Sequence, residues 1–353
     1  YRGIAKGIEE FCKYAMPALI VIAIIILVRV LTLGTPDPTL PDRNIDNALG
    51  FMWNPKAPEG KSFLQELFNW DIWLAAAGQI FFTLSVGFGV IINYASYVRK
   101  DEDIVLSGLT ASAVNEFCEV ALGGLITIPL AYLFLNMGEL KLGSSIALGF
   151  YALPGVFPHM PLGSLFGALW FLMLFLAAIT SSLSMLQPAI AFFEEGFDLG
   201  RRASVTLLML ITAVGSLIVI YFSRNLTALD TMDFWIGSFL LFVMSMIQVI
   251  VFAWVVGVER GRREMMRGAA MPVPGLFWFV IRWVSPVYLL AIFIGFCSQN
   301  LGGYLKAIRE SPDRNAILWV LSFIGLMIVF FTILVHLAGQ RWDRQGRGRE
   351  KAQ

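Results

Sequence analysis

The sequence predicts an all-α integral membrane protein, and three observations carry that prediction. The 353 residues are 58% hydrophobic, with a mean hydropathy of +0.73. Only 14% are charged, against about 25% in a soluble domain. Eight apolar segments stand out, near 15–33, 72–98, 104–135, 166–193, 204–222, 234–257, 276–297 and 316–338. Each has the roughly 20 residues that a helix needs to cross a bilayer. The net formal charge of +1 gives no reason to expect nucleic acid as a partner. The lipid bilayer is the partner that the composition implies.

The first segment carries Gly7 and Pro17. A proline inside a helix removes one backbone hydrogen bond and pushes the preceding turn apart, so this stretch is either an ordinary helix entry or a locally unwound one. Residues 34–70 hold Pro36, Pro38, Pro41, Pro55 and Pro58 together with Trp53 and Trp70, which suits an ordered cap at the membrane interface. The second segment is interrupted. Ser85, Gly87 and Gly89 stand between apolar flanks at 72–84 and 90–98, and neither flank alone spans. Each glycine weakens a helix by about 1 kcal/mol relative to alanine. A break in mid-membrane leaves amides and carbonyls that lipid cannot satisfy. Two readings stay open: a discontinuous helix whose gap binds a ligand, an ion or water, and a glycine-rich face for close helix packing.

In the third segment Asn115 and Glu119 are four apart, which puts them on one helix face. A carboxylate at mid-membrane costs about 2.5–3.5 kcal/mol, so Glu119 is expected to face protein or water. Asn115 is read either as a site residue or as an interhelical hydrogen-bonding group. The neighbouring Glu116 is assigned no role. Residues 139–165 contain two short apolar runs divided at Pro154-Gly155, which reads as a helical hairpin dipping back toward the membrane. The fourth segment holds Thr180-Ser181-Ser182. Such hydroxyls usually bond back to the carbonyl four residues earlier, and neutral oxygens of this kind also suit a hard cation. Asp230 and Asp233 open the sixth segment, where an acid at a helix N-terminus contributes about 0.3–1 kcal/mol as cap or dipole partner.

An even number of spans puts both ends on one side. Arg2, Lys6, Lys13, Arg99, Lys100, Arg201, Arg202, Arg260, Arg262, Arg263, Arg267 and the tail from Arg341 fall on that side. The opposite loops carry Arg43, Lys56, Lys61, Lys141, Arg224, Lys306, Arg309 and Arg314. The richer side is predicted to be cytoplasmic, with the basic stretch 260–267 as a topology determinant. Cys12, Cys118 and Cys297 are odd in number and far apart, and read as small apolar packing residues. His159 and His336 have no second histidine at ligand spacing. The sequon at Asn225 falls in an outer loop, with nothing else to support glycosylation. No phosphate loop, nucleophile elbow or Ser-His-acid set is visible, so no enzyme is expected.

The run Gln79-Ile80-Phe81-Phe82-Thr83-Leu84-Ser85-Val86-Gly87-Phe88-Gly89, followed by Tyr94-Ala95-Ser96-Tyr97, resembles the sixth transmembrane helix of the neurotransmitter:sodium symporter family, in particular of its bacterial amino-acid transporters. The stretches 110–119, 177–188 and 230–235 resemble later helices of that family in the same order. The resemblance covers essentially the whole chain. It implies a partial LeuT-type inverted-repeat transporter fold of eight transmembrane helices, one of them discontinuous. Residues 1–33 correspond to the fifth helix, 34–70 to an extracellular loop, 72–258 to the second five-helix repeat, 275–340 to the last two helices and 341–353 to a cytoplasmic tail. The family's first four helices are therefore expected outside this chain, which reads as part of a longer protein of an inner or plasma membrane.

The function so implied is sodium-coupled symport of amino acids or related small zwitterions. The carbonyls of Phe82, Thr83 and Ser85 would hold the substrate ammonium, and Phe82, Phe88, Ser181 and Met185 would line its side chain. Two sodium ions are implied, their sites completed by the absent helices. Thr83 and Asn115 would serve the first; the Ala177 carbonyl with the Thr180 and Ser181 hydroxyls would serve the second. Chloride-dependent relatives carry a neutral serine at the position of Glu119, so this acid, among Gln79, Thr83 and Asn115, would replace chloride. Asp233 would be the acidic half of an external gate, and Tyr97 and Glu195 part of a cytoplasmic one; relatives commonly have Asp at Glu195. The loop 139–165 would be an external lid, and unwinding between Gly7 and Pro17 would admit water to the inner sodium. The alternative is a membrane receptor or sensor that binds an amino acid through the same residues without moving it. An oligomer is compatible with either.

Overall fold

The computed structural model describes residues 4–54, 60, 62–135, 148–223 and 226–345, with backbone alone at 4–6, 151 and 152. Arg2, Lys56, Lys61, Lys141, Arg224, Asn225, Pro55, Pro58, the segment 136–147 and the tail from 346 lie outside the described residues. Among the described residues every regular element is helical. In chain order these are α1 (Gly7–Leu31), α2 (Ile45–Trp53), α3 (Phe63–Leu67), α4 (Trp70–Thr83), α5 (Val90–Ala95) and α6 (Ile104–Phe134). There follow α7 (Gly163–Phe197), α8 (Arg201–Phe222), α9 (Thr227–Met265), α10 (Gly275–Gln299), α11 (Leu301–Glu310) and α12 (Arg314–Arg344). Seven of these, α1, α6, α7, α8, α9, α10 and α12, are long and apolar enough to cross a membrane. The eighth expected span is the pair α4 and α5, separated at 84–89.

Several local expectations change. The helix runs through Pro17 without unwinding, after one wide π turn at Ile4–Glu9 that includes Gly7; the ordinary helix entry is the correct reading there. Of the hairpin expected over 139–165, residues 139–147 lie outside the described residues, and its reversal does not fall at Pro154-Gly155, which lie within the helical turn Leu153–Val156. It falls at 160–162, where Leu162 takes φ +60°. Gly163 follows because any Cβ there would collide with the Phe157 carbonyl. The sixth segment begins at Thr227, so Asp230 lies in its first turn and Asp233 one turn further in, where it caps nothing.

The chain divides into two compact units. One comprises 69–106 and 184–353. Its core gathers Leu74 and Ala77 of α4, Phe242 and Met246 of α9, and Leu289, Ile292 and Phe296 of α10, all buried. Gly295 lets the Trp70 indole lie directly on α10, since a Cβ there would overlap the ring. A second cluster joins Ile190 and Phe193 of α7, Leu208 of α8 and Phe331 of α12. Lipid is as apolar as leucine, so such contacts hold by close packing rather than by escape from water. At one end the Tyr304 hydroxyl donates to Asp71 Oδ1 at 3.0 Å, its ring stacked 4.3 Å from Phe234. Burial and the Asp71 charge push the Tyr304 phenol up to about 12.

The other unit comprises 2–68 and 107–183. Ile26 and Val30 of α1, Ile126 and Leu130 of α6, Leu153, Val156 and Phe157 of the hairpin and Trp170 of α7 form its core. The Trp170 indole N–H donates to the Gly149 carbonyl at 3.1 Å, tying the hairpin to α7. Of the segment 34–70, the residues Ile45–Trp53 form α2, while 55–59 and 61 lie outside the described residues. Asn44 caps α2 by accepting from the Asn47 amide at 2.8 Å, and Phe51 meets Tyr132 of α6 at 5.6 Å between rings.

Candidate functional site

The α4 helix ends because Ser85 adopts the left-handed conformation at φ +57°. The Ser85 amide then donates to the Phe82 carbonyl at 3.1 Å and the Val86 amide to the Phe81 carbonyl at 2.9 Å. This is the paired closure of a Schellman motif, in which the left-handed position is usually glycine. Gly87 and Gly89 follow at φ +90° and +77°, and Gly89 starts α5. Three left-handed residues in five positions stop any i to i−4 ladder from crossing the gap.

The exposed backbone of the break is held from α9. The buried Ser245 hydroxyl donates to the Val86 carbonyl at 3.1 Å, and the Gly87 amide donates to Gln248 Oε1 at 3.3 Å. A Cβ at Gly87 would stand 2.5 Å from Ser245 Oγ and 2.8 Å from Leu241 Cδ1. Gly87 therefore both breaks the helix and lets α9 pack close against it. Pro188 of α7 lies against Gly89, 3.6 Å from where a Cβ would be. Across the gap Phe82 and Phe88 meet edge to face at 5.6 Å, so two of the expected pocket-wall residues are in contact. Thr83 bonds back to the Ile80 carbonyl at 3.2 Å, and Gln79 is exposed on α4.

In α7 the Thr180 hydroxyl is buried and lies 2.9 Å from the Leu176 carbonyl and 3.0 Å from that of Ala177. Two of the expected cation ligands are thus side by side. Ser181 is exposed and Met185 half-buried. Asn115 is half-buried near the end of the α-helical part of α6, and Glu119 lies in a π turn at Phe117–Gly124. A second π turn, Asp233–Leu240, contains the exposed Asp233. Such turns are rare and frequent at functional positions. Tyr97 and Glu195 are both exposed; the Glu195 carbonyl accepts from the Trp342 indole at 3.2 Å.

Sequence reasoning missed Ser245 and Gln248. Their signal was two polar residues three apart in an otherwise apolar run. It also missed Gln187, fully buried beside Pro188, whose Oε1 accepts from Arg201 Nη2 at 3.1 Å while Arg201 pairs with Glu194 at 3.5 Å.

These observations define a multi-pass helical membrane protein with one span broken and braced at its break. Comparison with known proteins gives the family. The model of the sodium:neurotransmitter symporter family matches residues 1–340, and the chain belongs to that family. Its members are transporters, not enzymes.

The chain is 28% identical over 312 residues to an uncharacterised sodium-dependent transporter of Methanocaldococcus jannaschii, covering 86% of this chain and 60% of that one. It is 26% identical over 306 residues to one of Haemophilus influenzae, covering 83% and 61%. To the uncharacterised transporter YhdH of Bacillus subtilis it is 28% identical over 320 residues, covering 86% and 64%. The crystal structure of MhsT in complex with L-phenylalanine matches with a TM-score of 0.67 and 27% identity, over 82% of this chain and 63% of MhsT. The chain spans between 60% and 64% of the length of these relatives.

Proposed function

We propose that the full-length protein is a sodium-coupled symporter of amino acids or related small zwitterions, and that this chain supplies the part of its substrate site built on the broken helix. The observation that carries the proposal is the break at 84–89. The C-terminal end of α4 presents carbonyls at the negative pole of a helix dipole, where a cation is favoured. Phe82, Thr83 and Ser85 supply carbonyls for the substrate ammonium; the Phe82 carbonyl keeps a second lone pair beyond the one that closes the turn. Phe82 and Phe88, with Ser181 and Met185, give an apolar wall for the side chain. That MhsT was crystallised with L-phenylalanine supports an amino acid as the substrate class.

Two sodium ions are proposed as co-substrates. One takes the Ala177 carbonyl and the Thr180 and Ser181 hydroxyls. Thr180 gives its proton to a backbone carbonyl, and its lone pairs stay available to a hard cation. The other takes Thr83 and Asn115, and both are completed by segments outside this chain. Glu119, with Gln79 nearby in the family pattern, supplies the negative charge that chloride supplies elsewhere. Two unit charges about 5 Å apart interact by about 3 kcal/mol at an effective dielectric near 20, enough to decide whether an added anion is needed. Asp233 acts in the outer gate, Tyr97 and Glu195 in the inner one, and both chain ends lie in the cytoplasm of a cell with this protein in its plasma or inner membrane.

The test is uptake of labelled amino acids into proteoliposomes holding the full-length protein. An inward sodium gradient should drive accumulation, and replacing chloride by gluconate should leave it unchanged. Glu119→Ser should make uptake chloride-stimulated. Saturable binding with no accumulation would establish a receptor or sensor instead, and wild-type uptake that stops without chloride would refute the role of Glu119.

A further inference from the structure

The ends of α9 and α10 that carry the basic stretch 260–267 form a groove of about 650 Å³, lined by Ala253, Trp254, Val258 and Glu259 of α9 and by Arg282 and Trp283 of α10. None of these residues has a part in the transport reading. A π turn at Val251–Gly257 ends at Gly257 with φ +86°, and nothing stands within 4 Å of where its Cβ would be, so the bend leaves the groove open. The Trp254 indole N–H donates to the Arg282 carbonyl at 2.8 Å, which fixes the two walls together. The Arg282 guanidinium lies over the Trp283 ring at 5.4 Å. Among the described residues no salt bridge engages either the Arg282 guanidinium or the Glu259 carboxylate. The groove thus offers one cation, one anion and otherwise apolar and aromatic surface.

We infer that this groove binds the headgroup of an aminophospholipid, phosphatidylethanolamine. Arg282 sits seven residues into α10, about 10 Å along its axis, in reach of the boundary between headgroups and acyl chains. Tryptophans collect at that boundary, and clustered arginines mark the side on which it lies. A guanidinium recognises phosphate through charge-assisted hydrogen bonds. Glu259 would repel a purely anionic headgroup but accepts from a primary ammonium. The apolar walls of Trp254, Trp283 and Ala253 take the start of an acyl chain. One occupant carries phosphate, ammonium and hydrocarbon together, matching the cation, the anion and the apolar walls that line this groove, and it is the zwitterionic lipid rather than a free phosphate or a simple anionic lipid.

The test is native mass spectrometry of the full-length protein, delipidated in detergent and titrated separately with phosphatidylethanolamine, phosphatidylcholine and phosphatidylglycerol of matched acyl chains. The wild type should retain the ethanolamine lipid about tenfold better than the choline lipid, the equivalent of one decade in Kd. Glu259→Gln should remove that preference while leaving phosphatidylglycerol retention equal or higher. Arg282→Gln should weaken all three. The wild-type comparison needs no variant and decides the point alone: equal retention of the three lipids, or phosphatidylglycerol ahead of phosphatidylethanolamine, overturns the proposal. So does a preference that survives Glu259→Gln.

Discussion

At the scale of single residues, the break rests on three backbone positions that differ in what they tolerate. Gly87→Ala meets both a left-handed φ, which costs an L-residue about 1–2 kcal/mol, and the Ser245 hydroxyl at 2.5 Å. Gly89→Ala meets only the φ cost, because its nearest neighbour is a Pro188 carbon at 3.6 Å. Thermal unfolding in detergent should therefore rank Gly87→Ala clearly below Gly89→Ala, and equal losses would mean that α9 does not press on the break. Ser245→Ala strips the half-buried Val86 carbonyl of its partner; losing a hydrogen bond of this kind costs about 0.5–1.5 kcal/mol, so this variant should lose that much, while Ser245→Thr keeps the hydroxyl and should lose less. The glycines were legible as helix breakers. Ser85 as the left-handed cap was not, because serine is an uncommon choice there and only the tertiary brace makes it affordable. Ser245 and Gln248 were unreadable for the same reason: their role exists only where the fold puts them against residues some 160 positions away.

At the scale of elements, the apolar runs found seven continuous spans and the interrupted one, since length and hydropathy are what a bilayer selects. The π turns in α6 and α9 left no trace in the sequence, because they change hydrogen-bond register without changing composition. The hairpin reversal was misplaced for a related reason. Proline is accommodated in the first turn of a helix, so Pro154 need not end one, whereas Leu162 at positive φ carries no warning. One contact between elements is pH-sensitive. Asp103, ahead of α6, accepts from the amides of Leu106 at 2.9 Å and Ala270 at 2.8 Å, and these bonds, with that of Leu106 first, hold its carboxyl below the ordinary 3.8. A lowered value in the folded state means stabilisation that is present above pH 3.8 and lost as pH falls through the lowered value. Hydrogen exchange at Ala270, corrected for intrinsic rate, should lose protection below about pH 4, and Asp103→Asn should abolish that dependence. Protection that is flat across this range would show the loop to be held by other contacts.

At the scale of the whole molecule, membership of the symporter family was legible because the motifs around 79–97, 110–119 and 177–188 lie in the family's order, and the match over 1–340 agrees. What could not be read was the complete site, since the chain spans less than two thirds of its relatives. The proposed neutral-oxygen cation site makes a quantitative statement. Thr180→Ala combined with Ser181→Ala removes two of the proposed ligands and should raise the sodium concentration needed for half-maximal substrate binding by tenfold or more, about 1.4 kcal/mol; unchanged sodium dependence would reduce both hydroxyls to helix packing. The central claim is that the break at 84–89 is where substrate and sodium meet, and its most direct measurement is chemical. In full-length protein with Cys12, Cys118, Cys297 and every cysteine of the segments outside this chain replaced by alanine, Ser85→Cys leaves the backbone carbonyl in place and adds a thiol at the break. Its modification by a membrane-impermeant thiol reagent should slow only when sodium and a mixture of natural amino acids are both present. A modification rate indifferent to that combination would contradict the account.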